Sequence, residues 1–263
     1  MNRHGRELYV PAGVAPYIAL ERNGDCLTVT FNRPDKHNAF PDEAHDDLPL
    51  FFASLAYDPS RVVVFTGAGR SFCAGGDIGG VLDRTEEQVV GVIQDATRIV
   101  TRLLEVPQVT VAKVNGAAIG LGAVFALACD LAYASNRAKF SDPHIDLGVV
   151  PGDGAGVLFM ELMGPMRARE VLLTGRPVTA AEAAEAGLIT RVVEPERLDA
   201  EVATVVATLL DKPPLALRLT KQLLVAELRG RFETLMTMGM GQEGITMQTD
   251  EYDTLIRRWV GDR

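Results

Sequence analysis

Two short apolar runs, residues 61–66 and 109–114, each stop at a glycine turn, the first at Gly67 and the second at Asn115-Gly116. Runs of this length, bounded by such turns, read as buried strands. Residues 131–134 read as a third. Helical stretches separate them: residues 86–104, closed near Pro107, and residues 120–128, apolar on nearly every side. Strands alternating with helices predict an α/β fold with mostly parallel strands. Upstream, residues 17–21 and 27–31 flank Asn23-Gly24, a strong hairpin signal. A helix is expected over 42–57, interrupted or kinked at Pro49.

After Gly152 the chain changes character. Residues 179–186 read as a helix stopped by Gly187, a natural C-cap. A strand-like stretch over 188–193 follows, then helices over 196–210 and 214–228, with residues 232–259 mostly helical. This divides the chain into an α/β core, residues 1–200, and a helical C-terminal subdomain, residues 201–263.

Composition narrows the function classes. Of 263 residues, 47% are hydrophobic and 23% charged, a globular balance that excludes wholesale disorder. The net charge of −9 argues against nucleic acid or an anionic membrane as a partner. The three cysteines, Cys26, Cys73 and Cys129, form no C-x-x-C pair, so no metal site or disulfide framework is expected. The N-terminal stretch has no apolar core of a leader. The most apolar run, residues 117–129, is 13 residues long against the ~20 a membrane span needs. A cytoplasmic protein without a cofactor of its own is the expectation.

Both glycine turns lead toward a helix, so their free backbone N–H groups are placed to serve an anion or a developing oxyanion. Neither carries the spacing of a dinucleotide fingerprint or a P-loop. Phe72-Cys73-Ala74-Gly75-Gly76-Asp77, together with the stretch from Asn115-Gly116 to Cys129-Asp130, resembles the two signature segments of the crotonase superfamily, which includes enoyl-CoA hydratases and isomerases. Asn32-Arg33-Pro34 with Asn38-Ala39 resembles its N-terminal loop. Phe140-Ser141-Asp142-Pro143-His144, then Gly148 and Pro151-Gly152, resembles a third segment, and the region from Leu172 to Leu188 a fourth.

The resemblance implies a spiral of ββα units with a helical C-terminal trimerisation region, assembled as a trimer or a dimer of trimers. It implies an acyl-CoA thioester substrate, coenzyme A entering as part of the substrate. The thioester oxygen would rest in an oxyanion hole, with Ala74 and Leu121 at the matching positions. Ala39, Gly75, Gly76 and Asp77 would line the substrate cleft. Arg33 and Lys36 read either as solvated loop charges or as partners of the CoA phosphates.

One departure decides the chemistry. Hydratases of this superfamily hold a water between two glutamates, and here Val124 and His144 stand at those positions. Valine moves no proton, so ordinary hydration is not expected. Histidine, whose pKa lies near working pH, suits a general base. Asp153, nine residues on, reads as its orienting partner or as a helix N-cap. Pro143-His144 with residues 148–154 also resembles the bicyclic β-diketone hydrolase branch, where a His–Asp pair activates water for retro-Claisen C–C cleavage without CoA. Glu243 stands where that branch keeps a helix glutamate, although a solvated surface role fits it equally. The branch's further histidine is absent, Leu121 occupying its segment. A β-dicarbonyl is therefore a second candidate substrate, and a catalytically silent acyl-CoA-binding protein a third reading.

Overall fold

The computed structural model describes residues 8–261 apart from 79, 80 and 82–84; the first seven residues, part of the stretch read for a leader, lie outside the described residues. A hairpin opens the fold. β1 (Ile18–Asn23) and β2 (Cys26–Phe31) pair antiparallel, with Asn23 opposite Cys26 across Gly24 and Asp25. The three apolar runs then form β3 (Val62–Gly67), β5 (Val109–Val114) and β7 (Leu131–Ser135), with β4 (Ser71–Cys73) and β6 (Ala117–Ile119) between them. β3, β5 and β7 run parallel, and the six-stranded sheet has the order β1-β2-β3-β5-β7-β10, closed by β10 (Arg191–Val193).

A second sheet of four short strands, β4-β6-β8-β9, is completed by β8 (Lys139–Ser141) and β9 (Val178–Thr179). The chain therefore lays one strand in the first sheet, the next in the second, and returns by a helix. β3-β4 is followed by α2 (Glu86–Leu104), and β5-β6 by α3 (Leu121–Leu127). β7-β8 is followed by α4 (Ala155–Met163) and α5 (Pro165–Thr174). That succession is a ββα spiral. Its interior is aromatic: Phe31 meets Phe40 edge-on at 5.3 Å and Phe72 at 5.4 Å between ring centroids. Such pairs add about 0.5–1.5 kcal/mol each beyond the burial of their area.

The structure corrects several boundaries. α1 (Asp42–Ser54) runs unbroken through Pro49, then tightens into a 3-10 turn at Leu55–Tyr57. The proline removes only the bond its own N–H would have made to the carbonyl four residues back. β10 starts at Arg191 rather than 188, because the N–H groups of Leu188 and Ile189 fold back onto the carbonyl of Ala183 at the end of α6 (Ala180–Glu185). α7 (Leu198–Leu210) crosses the expected boundary at residue 200. Its Leu198 and Val202 pack on Val62, Val64, Val111 and Tyr133, so this helix covers the large sheet and belongs to the core.

The two further helices expected in the tail merge into one. α8 (Pro214–Thr246) is a single 33-residue helix that passes through Gly230. An interior glycine costs about 1 kcal/mol. Phe232, Met236 and Met240, four residues apart, offset this by burying one stripe in the main core. Farther back, buried Lys221 donates to the Gln108 carbonyl at 2.6 Å and pairs with Asp130 at 2.8 Å, fastening α8 beneath β5. α9 (Asp250–Gly261) lays Tyr252 and Ile256 on Leu147 and Val149. Among the described residues no helix is long and apolar enough to cross a membrane.

One residue joins the N-terminal loop to the first glycine turn. Asn38 is 1% exposed and sits at φ +60°. Its Nδ2 donates to the carbonyls of Ala68, Ser71 and Phe72 at 2.9, 2.8 and 3.2 Å, while its Oδ1 accepts the Arg33 N–H at 2.9 Å. Asparagine tolerates that backbone better than most residues. With each hydrogen bond worth about 1 kcal/mol net, Asn38→Ala is expected to lower unfolding stability by about 3–4 kcal/mol. Urea denaturation followed by circular dichroism checks this.

Candidate active site

A cleft of about 810 Å³ opens between the two glycine turns, the 3-10 turn at His144–Leu147 and α9. Lys36, Ala39, Gly75, Gly76 and Asp77 lie on its wall, as the sequence suggests. So do Ala74, Leu121, His144, Asp153 and Glu243. Arg33 does not. Its guanidinium pairs with Asp77 at 2.7 Å, donates to the Ala39 carbonyl and lies over the Tyr17 ring, so it braces the loop. The exposed cations on the cleft wall are Lys36, Arg70 and Arg137. The last two went unremarked in the sequence because each stands alone in a turn.

The two turns meet at the cleft floor. Gly75, at φ +82°, lies so near the second turn that a Cβ on it would come within 2.8 Å of the Ile119 carbonyl and 3.2 Å of the Leu121 nitrogen. Only glycine fits there without displacement. Cys73 steadies the turn from below, its Sγ donating to the Asn38 carbonyl and accepting the Gly75 N–H. Burial pushes this thiol up to about 12, so it stays protonated.

Ala74, expected as an oxyanion donor, lies against the loop that follows Arg33. Its N–H donates to the His37 carbonyl at 3.0 Å and is already engaged. The neighbouring free donor is the N–H of Gly76. Among the described residues neither Gly76 N–H nor Leu121 N–H, at the first residue of α3, meets an acceptor. The motif could not reveal this, because which amides of the turn stay open depends on the carbonyl that the N-terminal loop brings in.

His144 is held by Asp142. Its Nδ1 lies 2.7 Å from Asp142 Oδ1, and the same oxygen accepts the His144 backbone N–H at 3.2 Å. Asp153, the partner expected from spacing, stands nearby: donor atoms of Asp142, His144 and Asp153 fall within 4.8 Å of one another. Its Oδ1 accepts the Ala155 N–H at 3.4 Å at the start of α4, but the N-cap of that helix is Gly154, so Asp153 stands one residue before the cap position the sequence offered it. The signal for Asp142 was present, since Asp-Pro favours a turn that brings the Asp side chain to the backbone two residues on. A 2.7 Å separation is a charge-assisted hydrogen bond. A metal shared by these two atoms would hold each at about 2.0–2.2 Å from itself, and usually farther apart from one another.

Glu243 comes in from α8, 8% exposed. Three carboxylates, Asp142, Asp153 and Glu243, thus surround one imidazole whose side chain is 18% exposed. Burial alone would lower the His144 pKa, but the charges of Asp142 and Asp153, the Asp142 hydrogen bond and Glu243 outweigh it and hold the group well above its usual value. Burial pushes Asp153 upward against the opposing His144 charge. Glu243 is driven to about 8 chiefly by burial, with Asp153 and Asp142 adding to it. Val124, which the family resemblance sets opposite a hydratase glutamate, is fully buried in α3 and absent from the cleft wall.

His45, on α1, was not singled out from the sequence. It is 7% exposed and lies on the cleft wall beside Gly76. The far end of the cleft is apolar, lined by Val81, Met247, Ile256 and Trp259.

Comparison with known proteins agrees with this geometry. The family model described as enoyl-CoA hydratase/isomerase matches residues 21–257. The chain is 28% identical to a short-chain-enoyl-CoA hydratase of Clostridium acetobutylicum, over 94% of this chain and 95% of that one. The crystal structure of an enoyl-CoA hydratase/isomerase from Mycobacterium paratuberculosis superposes with a TM-score of 0.86 at 30% identity, covering 92% of this chain and 98% of the other. A β-diketone hydrolase from the cyanobacterium Anabaena, bound to (S)-3-oxocyclohexyl acetic acid, superposes at 0.82 with 28% identity, covering 90% and 97%. A match of this extent, on a spiral whose two glycine turns share one cleft, makes the chain a member of the enoyl-CoA hydratase/isomerase family, within the crotonase superfamily.

Proposed function

We propose that the protein forms and quenches an enolate on an acyl-CoA thioester, with the Gly76 and Leu121 N–H groups as oxyanion donors and His144 as the base. The observation that carries this reading is the pair of unengaged backbone donors opening into the same cleft as His144. Each such donor is worth about 3 kcal/mol to the transition state. His144 removes the proton next to the carbonyl, and the resulting imidazolium is stabilised by Asp142 and Asp153. Glu243, protonated at neutral pH because burial lifts it to about 8, supplies the returning proton. Lys36, Arg70 and Arg137 face the CoA phosphates, and the apolar end takes the acyl group.

A specific observation favours a second reading, β-diketone hydrolysis: the fold likeness to the Anabaena hydrolase, together with a base surrounded by acids. There, water deprotonated by His144 adds to one carbonyl. The bond from that carbonyl to the central carbon breaks, and its electron pair becomes an enolate on the second carbonyl. Glu243 protonates the carbon, giving a keto acid.

The tests separate the readings. In D2O, saturated acyl-CoA thioesters from acetyl to octanoyl are expected to gain deuterium at the α-carbon, read by mass spectrometry. His144→Ala is expected to slow exchange at least about 100-fold. No exchange on any thioester, with release of keto acid from a bicyclic 1,3-diketone, selects the second reading. Crotonyl-CoA hydration is expected to be very slow, since Val124 and His144 stand at the positions of the two glutamates. Turnover at ordinary hydratase rates would contradict the assignment of His144.

The pH dependence has a definite sign. His144 acts as a base only when neutral, and its pKa is raised. The exchange rate is therefore expected to climb with pH through a value above 6.5. A limb at or below 6.5 would mean that another group is the base.

We assign a trimer or a dimer of trimers to the assembly. Leu215, Leu219 and Leu223 form a stripe at four-residue spacing on α8, 59%, 50% and 76% exposed. A stripe of this kind marks an interface. Light scattering is expected to return a multiple of three chain masses for the wild type and a smaller species for Leu219→Glu with Leu223→Glu.

A further inference from the structure

We infer that Asp142 is the positioning residue of this site, fixing the His144 ring with its proton on Nδ1 and its Nε2 toward the substrate, while Asp153 serves only the charge that develops. The inference rests on His144 being the base.

The geometry separates the two acids. A single oxygen of Asp142 holds both the ring nitrogen and the backbone N–H of His144, so neither ring rotation nor a peptide turn is free. Pro143 stands between them at φ −89° and stiffens the link. The Asp142 side chain is 1% exposed, which leaves its carboxylate no alternative hold in water. Its other oxygen, Oδ2, has no hydrogen-bond partner among the described residues. All of its hydrogen bonding is therefore committed to His144.

The anchor also fixes where the base stands relative to the oxyanion donors. Ser141, just before Asp142, accepts the Gly120 N–H at 2.8 Å, and Gly120 precedes Leu121. Two consecutive residues, Ser141 and Asp142, thus tie the donor turn and the base to one strand end. Asp153 has no such link. Its carboxylate accepts from Ala155 on its own loop and meets the imidazole only as a nearby charge. The titratable groups facing His144 are Asp142 from the end of β8, Asp153 from the loop before α4, and Glu243 from α8. Asp142 and Asp153 both favour the imidazolium, and only Asp142 selects which nitrogen is left bare when it deprotonates. A carboxylate bound to one imidazole nitrogen fixes the tautomer in this way.

Long-range 15N–1H NMR on the full chain labelled at histidine reads the tautomer directly, with His144→Gln assigning the signal. In the wild type above its titration, His144 is expected as the Nδ1–H form. Asp142→Ala is expected to give a mixture of tautomers and to slow α-deuterium exchange about 100-fold, with KM within about threefold. Its acidic limb is expected to move down toward 6.5. Asp142→Glu is expected to restore part of the rate. Asp153→Asn is expected to shift the limb but keep the Nδ1–H form. If Asp142→Ala does not fold, as judged by circular dichroism, the space-filling Asp142→Leu, which offers no acceptor, gives the same readout. A retained Nδ1–H form in Asp142→Ala or Asp142→Leu, or its loss in Asp153→Asn, overturns the inference. Undiminished exchange in His144→Ala would overturn the proposed function, and the tautomer comparison would still report on Asp142 independently.

Discussion

Where one turn of the spiral passes over the next, backbone touches backbone. A Cβ on Gly116 would lie 1.9 Å from the Arg70 carbonyl, and one on Gly122 would lie 2.1 Å from that of Cys73. These distances leave no room for any side chain, so β4 and the start of α3 come together at closest approach. That approach brings the two glycine turns onto the wall of one cleft. Asn38 holds the first turn against the loop from Arg33, and the phenylalanine cluster beneath keeps both turns from sinking into the core. The shape of the cleft follows from how tightly the spiral is wound.

Much of this architecture was legible because it depends on local signals. The runs that became β3 and β5 carry their burial in their composition, and Asn23-Gly24 marks the hairpin. What escaped the sequence depends on distant partners. Pro49 and Gly230 look like breaks, yet both helices continue, since the stripes of buried residues on them outweigh one missing hydrogen bond or one flexible link. α7 is apolar on the face that meets β3 and β5, a contact between segments far apart in the chain that no local signal announces. At the site, the residue types at 144, 153 and 243 were readable from motif spacing, and the cleft does bring them together. Where the His37 carbonyl falls against Ala74, and which carboxylate oxygen meets the His144 ring, depend on contacts that motif spacing does not carry.

The cluster around His144 is chemically unbalanced. Three acids share a largely dry pocket with one base, and full ionisation of all four would leave uncompensated negative charge where desolvation is most costly. The site answers this by keeping protons: on His144, and on Glu243 up to about pH 8. A carboxyl group that stays neutral at working pH is a hydrogen-bond donor rather than an acceptor-only anion.

α9 gives the cleft its last wall, closing over Leu147 and Val149 from a helix made after every other lining segment. Tyr252 and Ile256 on this helix cover Leu147 and Val149, beside the turn that carries His144, so a change in how α9 docks would reshape the cleft without touching any of its polar groups.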